Sequence, residues 1–262
     1  MSAQDRDERL LDRAEELLDR ARRGEITYTR FLTPGEQRML ARRLGCAGEE
    51  MLPWGGYAEA ERKRIFFLPP YLTELDEATL TACLAEVYAE SVVALEIKGS
   101  GYRELAHRDF LGALMHLGVE RDAVGDVCVT SPHRAILFCD RVMTAFFCEH
   151  LQRVANDAVA LCCVTVPPDF DGGRQFERVS DTVASPRADA VVAALANLPR
   201  EKAQALFKAG SVEVDYELWE HPDHPIAEGA VIVIRGVGKF IVRSLSDKTR
   251  KGRFRLLADR YI

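Results

Sequence analysis

The sequence predicts an α+β protein, and three observations carry the prediction. The chain has 262 residues of which 47% are hydrophobic, enough to bury a sizeable core. Its apolar residues switch between helical and extended spacing in a definite order. Breaks rich in proline and glycine divide it into three segments.

The first segment, residues 1–75, reads as an N-terminal helical region. Leu10, Leu11, Ala14, Leu17, Leu18 and Ala21 recur at helical spacing within residues 8–23, and Gly24 follows as a C-cap. Thr33-Pro34-Gly35-Glu36 supplies an N-cap, a first-turn proline and an acidic residue for a second helix ending near Gly45. A turn at Trp54-Gly55-Gly56-Tyr57 precedes Glu59 to Arg64, and Phe66 to Tyr71, with two prolines, reads as a short strand running into a linker.

The second segment, residues 76–168, alternates in an informative order. Strand Val92 to Ile97 is followed by helix His107 to Leu117, closed by Gly118. Strands Asp126 to Thr130 and Arg134 to Cys139 come next, then helix Asp140 to Ala155 and strand Ala160 to Val166. This β-α-β-β-α-β order predicts a ferredoxin-like, RRM-like domain with two helices on one face of an antiparallel sheet. The expected strands Val92 to Ile97, Asp126 to Thr130 and Ala160 to Val166 carry no aromatic residue on which a base would stack.

Pro167 to Gly173 has strong turn chemistry and marks a second linker. The third segment, residues 180–262, reads as helices Arg187 to Ala196 and Arg200 to Ala209, then strands Ser211 to Asp215, Val231 to Arg235 and Lys239 to Val242.

The net charge of −6 argues against nucleic acid until its distribution is read. From Arg235 to Ile262 there are nine basic and two acidic residues, a local +7, against 26 basic and 39 acidic residues elsewhere. The charge pattern is a basic tail on an acidic body. The polar N-terminus predicts neither signal peptide nor membrane span, and hence a cytoplasmic protein. Seven cysteines without any Cys-x-x-Cys spacing predict reduced core residues.

In the third segment, Ser185-Pro186-Arg187-Ala188-Asp189, Leu198-Pro199-Arg200-Glu201-Lys202-Ala203 and Lys208-Ala209-Gly210-Ser211-Val212-Glu213-Val214-Asp215 together resemble the S4 RNA-binding domain. Two departures are Gly229-Ala230 in place of Gly-Asp and Pro199-Arg200 in place of Ser-Arg. Short helices placing Arg187, Arg200, Lys202 and Lys208 near one surface suit phosphate oxygens. Arg235 and Lys239 flank a glycine turn where a phosphate backbone can approach closely. Lys248, Arg250, Lys251 and Arg253 concentrate four cations whose phosphate contacts would release counterions. The competing readings are a solvated helical hairpin, a plain β-turn and a solubilising charge run. His107 and Arg108 are candidates for a secondary RNA contact, against a capping or surface role.

Other motifs fail on inspection. Arg235 to Phe240 lacks the leading glycine and the Ser or Thr of a phosphate loop. His107-Arg108-Asp109 has Leu114 where a kinase needs asparagine. Cys162 and Cys163, adjacent on a strand, cannot face one metal. No metal, cofactor or catalytic residue is expected.

Several blocks in order resemble one family: Phe31-Leu32-Thr33-Pro34-Gly35-Glu36-Gln37, Trp54-Gly55-Gly56-Tyr57-Ala58-Glu59-Ala60-Glu61-Arg62, His107 to Met115, Gly118-Val119-Glu120-Arg121 with Gly125-Asp126, and the C-terminal module with Arg235-Gly236-Val237-Gly238-Lys239-Phe240. The chain is similar to the YlmH family of bacterial RNA-binding proteins. The resemblance implies an RRM-like middle domain and a C-terminal S4 domain. It further implies binding of ribosomal RNA and tRNA on a large ribosomal subunit carrying peptidyl-tRNA, in ribosome-associated quality control beside an RqcH-type protein. Neither membrane nor DNA is implied as a partner. Competing classes are an S4-containing enzyme that modifies ribosomal RNA, for which Gly99-Ser100-Gly101 is the one weak cofactor-loop candidate, and an RNA-binding scaffold linked to cell division.

Overall fold

The computed structural model describes residues 3–45, 50–245, 249 and 252–262. The chain forms two compact units, Met1–Gly173 and Arg174–Ile262, and mixes helices with antiparallel sheets throughout. None of the described helices is long and apolar enough to cross a membrane.

The first unit opens with α1 (Ala3–Arg22), β1 (Thr27–Tyr28), α2 (Pro34–Leu44), β2 (Met51–Trp54), β3 (Arg64–Phe67) and α3 (Pro70–Thr73). Thr33 caps α2 as its sequence dictates: its hydroxyl accepts from Glu36 N–H while Glu36 returns a carboxylate to Thr33 N–H, and Gly45 ends the helix in the left-handed conformation. The strands form a small sheet in the order β1-β3-β2. The apolar stripe of α1 (Ala14, Leu17, Leu18, Ala21) packs on Leu40, Ile65 and Phe67. The expected linker after Phe67 holds α3, and α4 (Glu77–Ser91), N-capped by Asp76 and not foreseen in the second segment, leads directly into the next sheet. Its polar and apolar residues are not segregated into a clean stripe, which hid it from periodicity.

The second half of this unit holds β4 (Val92–Gly99), α5 (His107–His116), β5 (Val124–Ser131), β6 (Arg134–Asp140), α6 (Thr144–His150), β7 (Arg153–Val154) and β8 (Asp157–Val164). The sheet runs β5-β6-β4-β8-β7, antiparallel throughout. The helix expected over Asp140 to Ala155 is corrected to α6 alone, because Ala155 at φ +50° closes a tight hairpin between β7 and β8. The cysteine expectation is also corrected. Cys128 and Cys139 are buried, while Cys83, Cys148, Cys162 and Cys163 are exposed. Cys162 and Cys163 lie on the part of β8 beyond its pairing with β7, where the strand is an edge.

The sheet has two differently covered faces. Leu95, Ile97, Val127, Ala135 and Leu137 pack beneath α5 and α6 with Phe110, Leu114 and Phe147. The opposite face, with Val92, Ala94, Cys128 and Phe138, is covered by Phe31, Trp54, Tyr57, Ala60 and Phe170. Asp126 on this face accepts hydrogen bonds from Tyr57 Oη (2.8 Å), Glu61 N (2.7 Å) and Arg62 N (3.0 Å). Burial, and then the Asp126 charge, push the Tyr57 hydroxyl far above its ordinary pKa, so it stays a donor. Gly56 is required where it lies: at φ +103°, a Cβ would sit 2.2 Å from the Phe138 ring, and Tyr57 stacks on that ring at 4.8 Å.

The second unit contains β9 (Phe176–Val183), α7 (Ala188–Leu195), α8 (Arg200–Lys208), β10 (Val212–Val214), β11 (Glu217–Leu218), β12 (Val231–Ile234), β13 (Gly238–Ser244) and β14 (Phe254–Tyr261). One six-stranded sheet, β11-β10-β12-β13-β14-β9, packs Val212, Ile232, Ile234, Phe240, Val242, Leu256 and Ala258 against Val191, Val192, Leu195, Ala203 and Phe207 of the helices. The reading of the C-terminus as a basic tail is corrected in part: Phe254–Tyr261 is a strand paired along its whole length with β9. Both strands were hidden by their mixture of charged and apolar residues.

These contacts predict unequal costs at two glycines. Gly56→Ala should destabilise by about 2–4 kcal/mol, since overlap adds to backbone strain. Gly101→Ala, at φ +91° in open space, should cost about 1 kcal/mol from strain alone. Urea unfolding of the two variants checks this, and equal midpoints would refute the packing account.

Candidate nucleic-acid interface

Arg187 is the N-cap of α7, and its helix start is fastened to the loop before β12: Ala188 N donates to His224 O and Asp189 N to Pro222 O, both at 2.8 Å. Pro199, at φ −59°, stands immediately before α8, where its fixed φ suits a helix start. The short break at Asn197, in the left-handed conformation, turns one helix back on the other. The two helix starts therefore bring Arg187 and Arg200 together.

What joins them is Asp189, whose side chain is fully buried. Arg200 grips it in a fork, Nε to Oδ2 at 3.0 Å and Nη2 to Oδ1 at 2.9 Å. Arg187 adds longer contacts at 3.4 and 3.5 Å, and Gln204 Nε2 donates to Oδ2 at 3.0 Å. Burial pushes the carboxyl pKa up, but the hydrogen bonds from Gln204, Arg200 and Arg187 outweigh it and hold it below its ordinary value. The Arg187 and Arg200 side chains remain 41% and 49% exposed, and the five N–H donors of each guanidinium exceed what Asp189 accepts.

The other expected contacts are distributed unevenly. Lys208 is exposed on α8 in the same row as Arg200 and Gln204, at spacing i, i+4, i+8, whereas the exposed Lys202 falls outside that row. Arg235 is exposed at the turn between β12 and β13, where Gly236 takes φ +82°. Lys239, on β13, lies over two rings, Tyr216 at 4.9 Å and Tyr261 at 4.5 Å. Arg253 donates to Thr182 O. Lys248, Arg250 and Lys251 lie outside the described residues. His107 and Arg108 are exposed in the first turn of α5, where Asp109 accepts from Ala106 N and does the capping. They belong to the first unit and form no part of the cluster on α7 and α8.

Sequence reasoning missed Asp189 and Gln204 as organising residues. The available signal was a carboxylate set in the otherwise apolar run Ala188 to Leu195. It also missed the face of the second sheet turned away from the helices, where Phe176 meets Tyr261 edge-on at 5.0 Å and the Arg243 guanidinium lies 5.8 Å from the Phe176 ring. The weak cofactor-loop candidate Gly99-Ser100-Gly101 is tied down by Asp157, which accepts from Ser100 N and its hydroxyl. Among the described residues there is no group of metal-ligating side chains.

Residues 3–72 match the family model described as "YlmH, N-terminal", and residues 91–166 match the one described as "Putative RNA-binding domain in YlmH". The ribosome-associated protein quality control protein P2 of Bacillus subtilis (strain 168) is 32% identical over 232 residues, covering 88% of this chain and 86% of that protein. A solved structure, the cell division protein ylmH from Streptococcus pneumoniae, aligns at 21% identity with a TM-score of 0.46, covering 63% of this chain and 93% of that one.

Asp189→Asn should cost about 2–4 kcal/mol, because it leaves two guanidiniums without their buried counter-charge. The pH dependence follows from the depressed folded-state pKa. The stabilisation is complete above the unfolded carboxyl value of ~3.9 and is lost as pH falls through the lower folded value. Stability measured from pH 6 to pH 2 should therefore fall less steeply in the variant than in the wild type, and parallel curves would show that Asp189 is not the group responsible.

Proposed function

This chain belongs to the YlmH family, and on that premise we propose that it is an RNA-binding protein of ribosome-associated quality control, engaging a large ribosomal subunit that carries peptidyl-tRNA. The observation that carries the reading is the pair Arg187 and Arg200, fixed on one buried carboxylate with donors left over. A guanidinium held in place loses little side-chain freedom on meeting a phosphate, so its charge-assisted bonds translate more fully into affinity.

In this reading residues 180–262 form the S4 domain, whose α7 and α8 present Arg187, Arg200 and Lys208 to the RNA backbone. Arg235, Lys239, Lys202 and the basic run from Lys248 to Arg253 extend the contact. Residues 76–168 form an RRM-like domain, which the strand order β5-β6-β4-β8 supports. With one sheet face under helices and the other under Tyr57 and Phe170, that domain would meet RNA by its edges and loops, among them His107 and Arg108, rather than by stacking bases on its strands. Residues 1–75 serve as its N-terminal support.

The role is positional, not catalytic. The protein holds tRNA against ribosomal RNA while the ribosome's own centre does the chemistry, beside an RqcH-type partner that would add alanine tails to the stalled chain. No cofactor is needed, and the place of action is the cytoplasmic ribosome.

Sedimentation tests this. The tagged wild type should travel with free large subunits under translational stalling, and Arg187→Ala with Arg200→Ala should weaken binding by about 1–3 kcal/mol per arginine, shifting the variant toward the top of the gradient. A wild type that stays at the top would reject the ribosomal reading.

A further inference from the structure

The first unit carries nine more acidic than basic residues, 29 against 20. Nevertheless it gathers arginines around one half-open cleft of about 750 Å³, lined by Arg6, Arg9, Arg13, Arg30, Arg62, Arg64 and Arg121. Four carboxylates share the lining, Glu36, Glu120, Asp122 and Asp140, and Arg13 pairs with Glu16 just outside it, so the cleft keeps an excess of two positive charges. A cation-rich concavity in an acidic body focuses field lines onto an anion, and a volume near 750 Å³ suits a small organic ligand.

Three of these arginines show that the excess is built in. Arg64 is 1% exposed, pairs through Nη2 with Asp140, and lies between the rings of Phe31 (4.9 Å) and Tyr28 (5.1 Å). Its Nε meets no acceptor, although a buried donor without a partner is rare and costly. Arg121 donates to Val124 O and Gly125 O, and Arg62 to Val124 O, Phe31 O and Arg121 O. These carbonyls orient the two guanidiniums without neutralising them. Burial, then the charge of neighbouring Arg62, lower the Arg121 pKa to about 10, as expected where like charges are crowded. At the rim, Arg6 and Arg9 on α1 are exposed and form no ion pair among the described residues.

We propose that this cleft binds a phosphoryl group, with the half-buried Arg62 and Arg121 guanidiniums on its wall and Arg6 and Arg9 closing over the ligand from α1. The group would come from a free nucleotide or from the backbone of a single RNA strand, and the chemistry of recognition is the same for both. The site lies wholly in the first unit and does not depend on the interface of α7 and α8.

The test follows the arginine Nε–Hε signals by NMR in the full chain. Pyrophosphate, ATP and an eight-nucleotide single-stranded RNA are added in turn, in a background carrying Lys208→Ala and Arg235→Ala, exposed positions clear of the buried Asp189, to suppress the second unit's contribution. The Arg121 signal, assigned through the conservative Arg121→Lys variant, should shift. Arg6→Ala with Arg9→Ala, both at exposed positions, should raise the Kd for the effective probe roughly tenfold. A shift with pyrophosphate and ATP identifies a nucleotide site, and a shift with RNA alone identifies a strand site. Absence of any shift at millimolar probe, or a shift unchanged in the Arg6/Arg9 variant, overturns the proposal.

Discussion

Asp126 is the carboxylate on which the first unit depends. It accepts three hydrogen bonds from one stretch of the N-terminal region, Tyr57 to Arg62, and so fastens that stretch across a sheet face that would otherwise be bare. Asp140, on the same face of the sheet, takes the buried Arg64 in the same way. A carboxylate that is fully hydrogen-bonded tolerates partial burial where an unpartnered one does not. Two acidic residues on adjacent strands thus convert a three-stranded scrap of sheet and a five-stranded sheet into one body with shared cores. The blocks Trp54 to Arg62 and Gly125-Asp126, which stand far apart in sequence, are the two halves of this joint.

The second unit solves a related problem with the same chemistry. Its two short helices are too brief to hold a fixed geometry alone, and Asp189 links the start of one to the start of the other through Arg187, Arg200 and Gln204. In the proposed reading, the arginines that steady the helices are the same ones that are offered to RNA. A guanidinium that steadies the helices is also one whose orientation toward a ligand is set in advance.

Elements with strong local signals were legible in the sequence: α2 from its capping box, α5 from its apolar spacing and Gly118, α7 and α8 from their length and breakers, and β4, β5 and β6 from their apolar character. Elements whose existence depends on distant partners were not. Helix α4 lacks a clean stripe, β7 is two residues long, and β9 and β14 mix charged with apolar residues along their length. For the candidate site, residue type and spacing singled out Arg187 and Arg200, which the fold does bring together. They did not reveal that Asp189 would be their common anchor, since a single aspartate in a helix most often faces solvent. Nor did they reveal the arginine cleft, whose members come from five separate stretches of chain.

The pairing of β9 with β14 has a kinetic consequence. Each residue of β9 finds its partner 70 or more positions further along, and β14 is also the neighbour that β13 needs. Closing so long an intervening chain is entropically slow, whereas α7 and α8 are neighbours that meet early. Folding of this unit should then pass through a state in which the helical hairpin has formed and its sheet is still open at one side. The arginine pair would exist in that state but would lack the rigid floor that gives it a fixed direction.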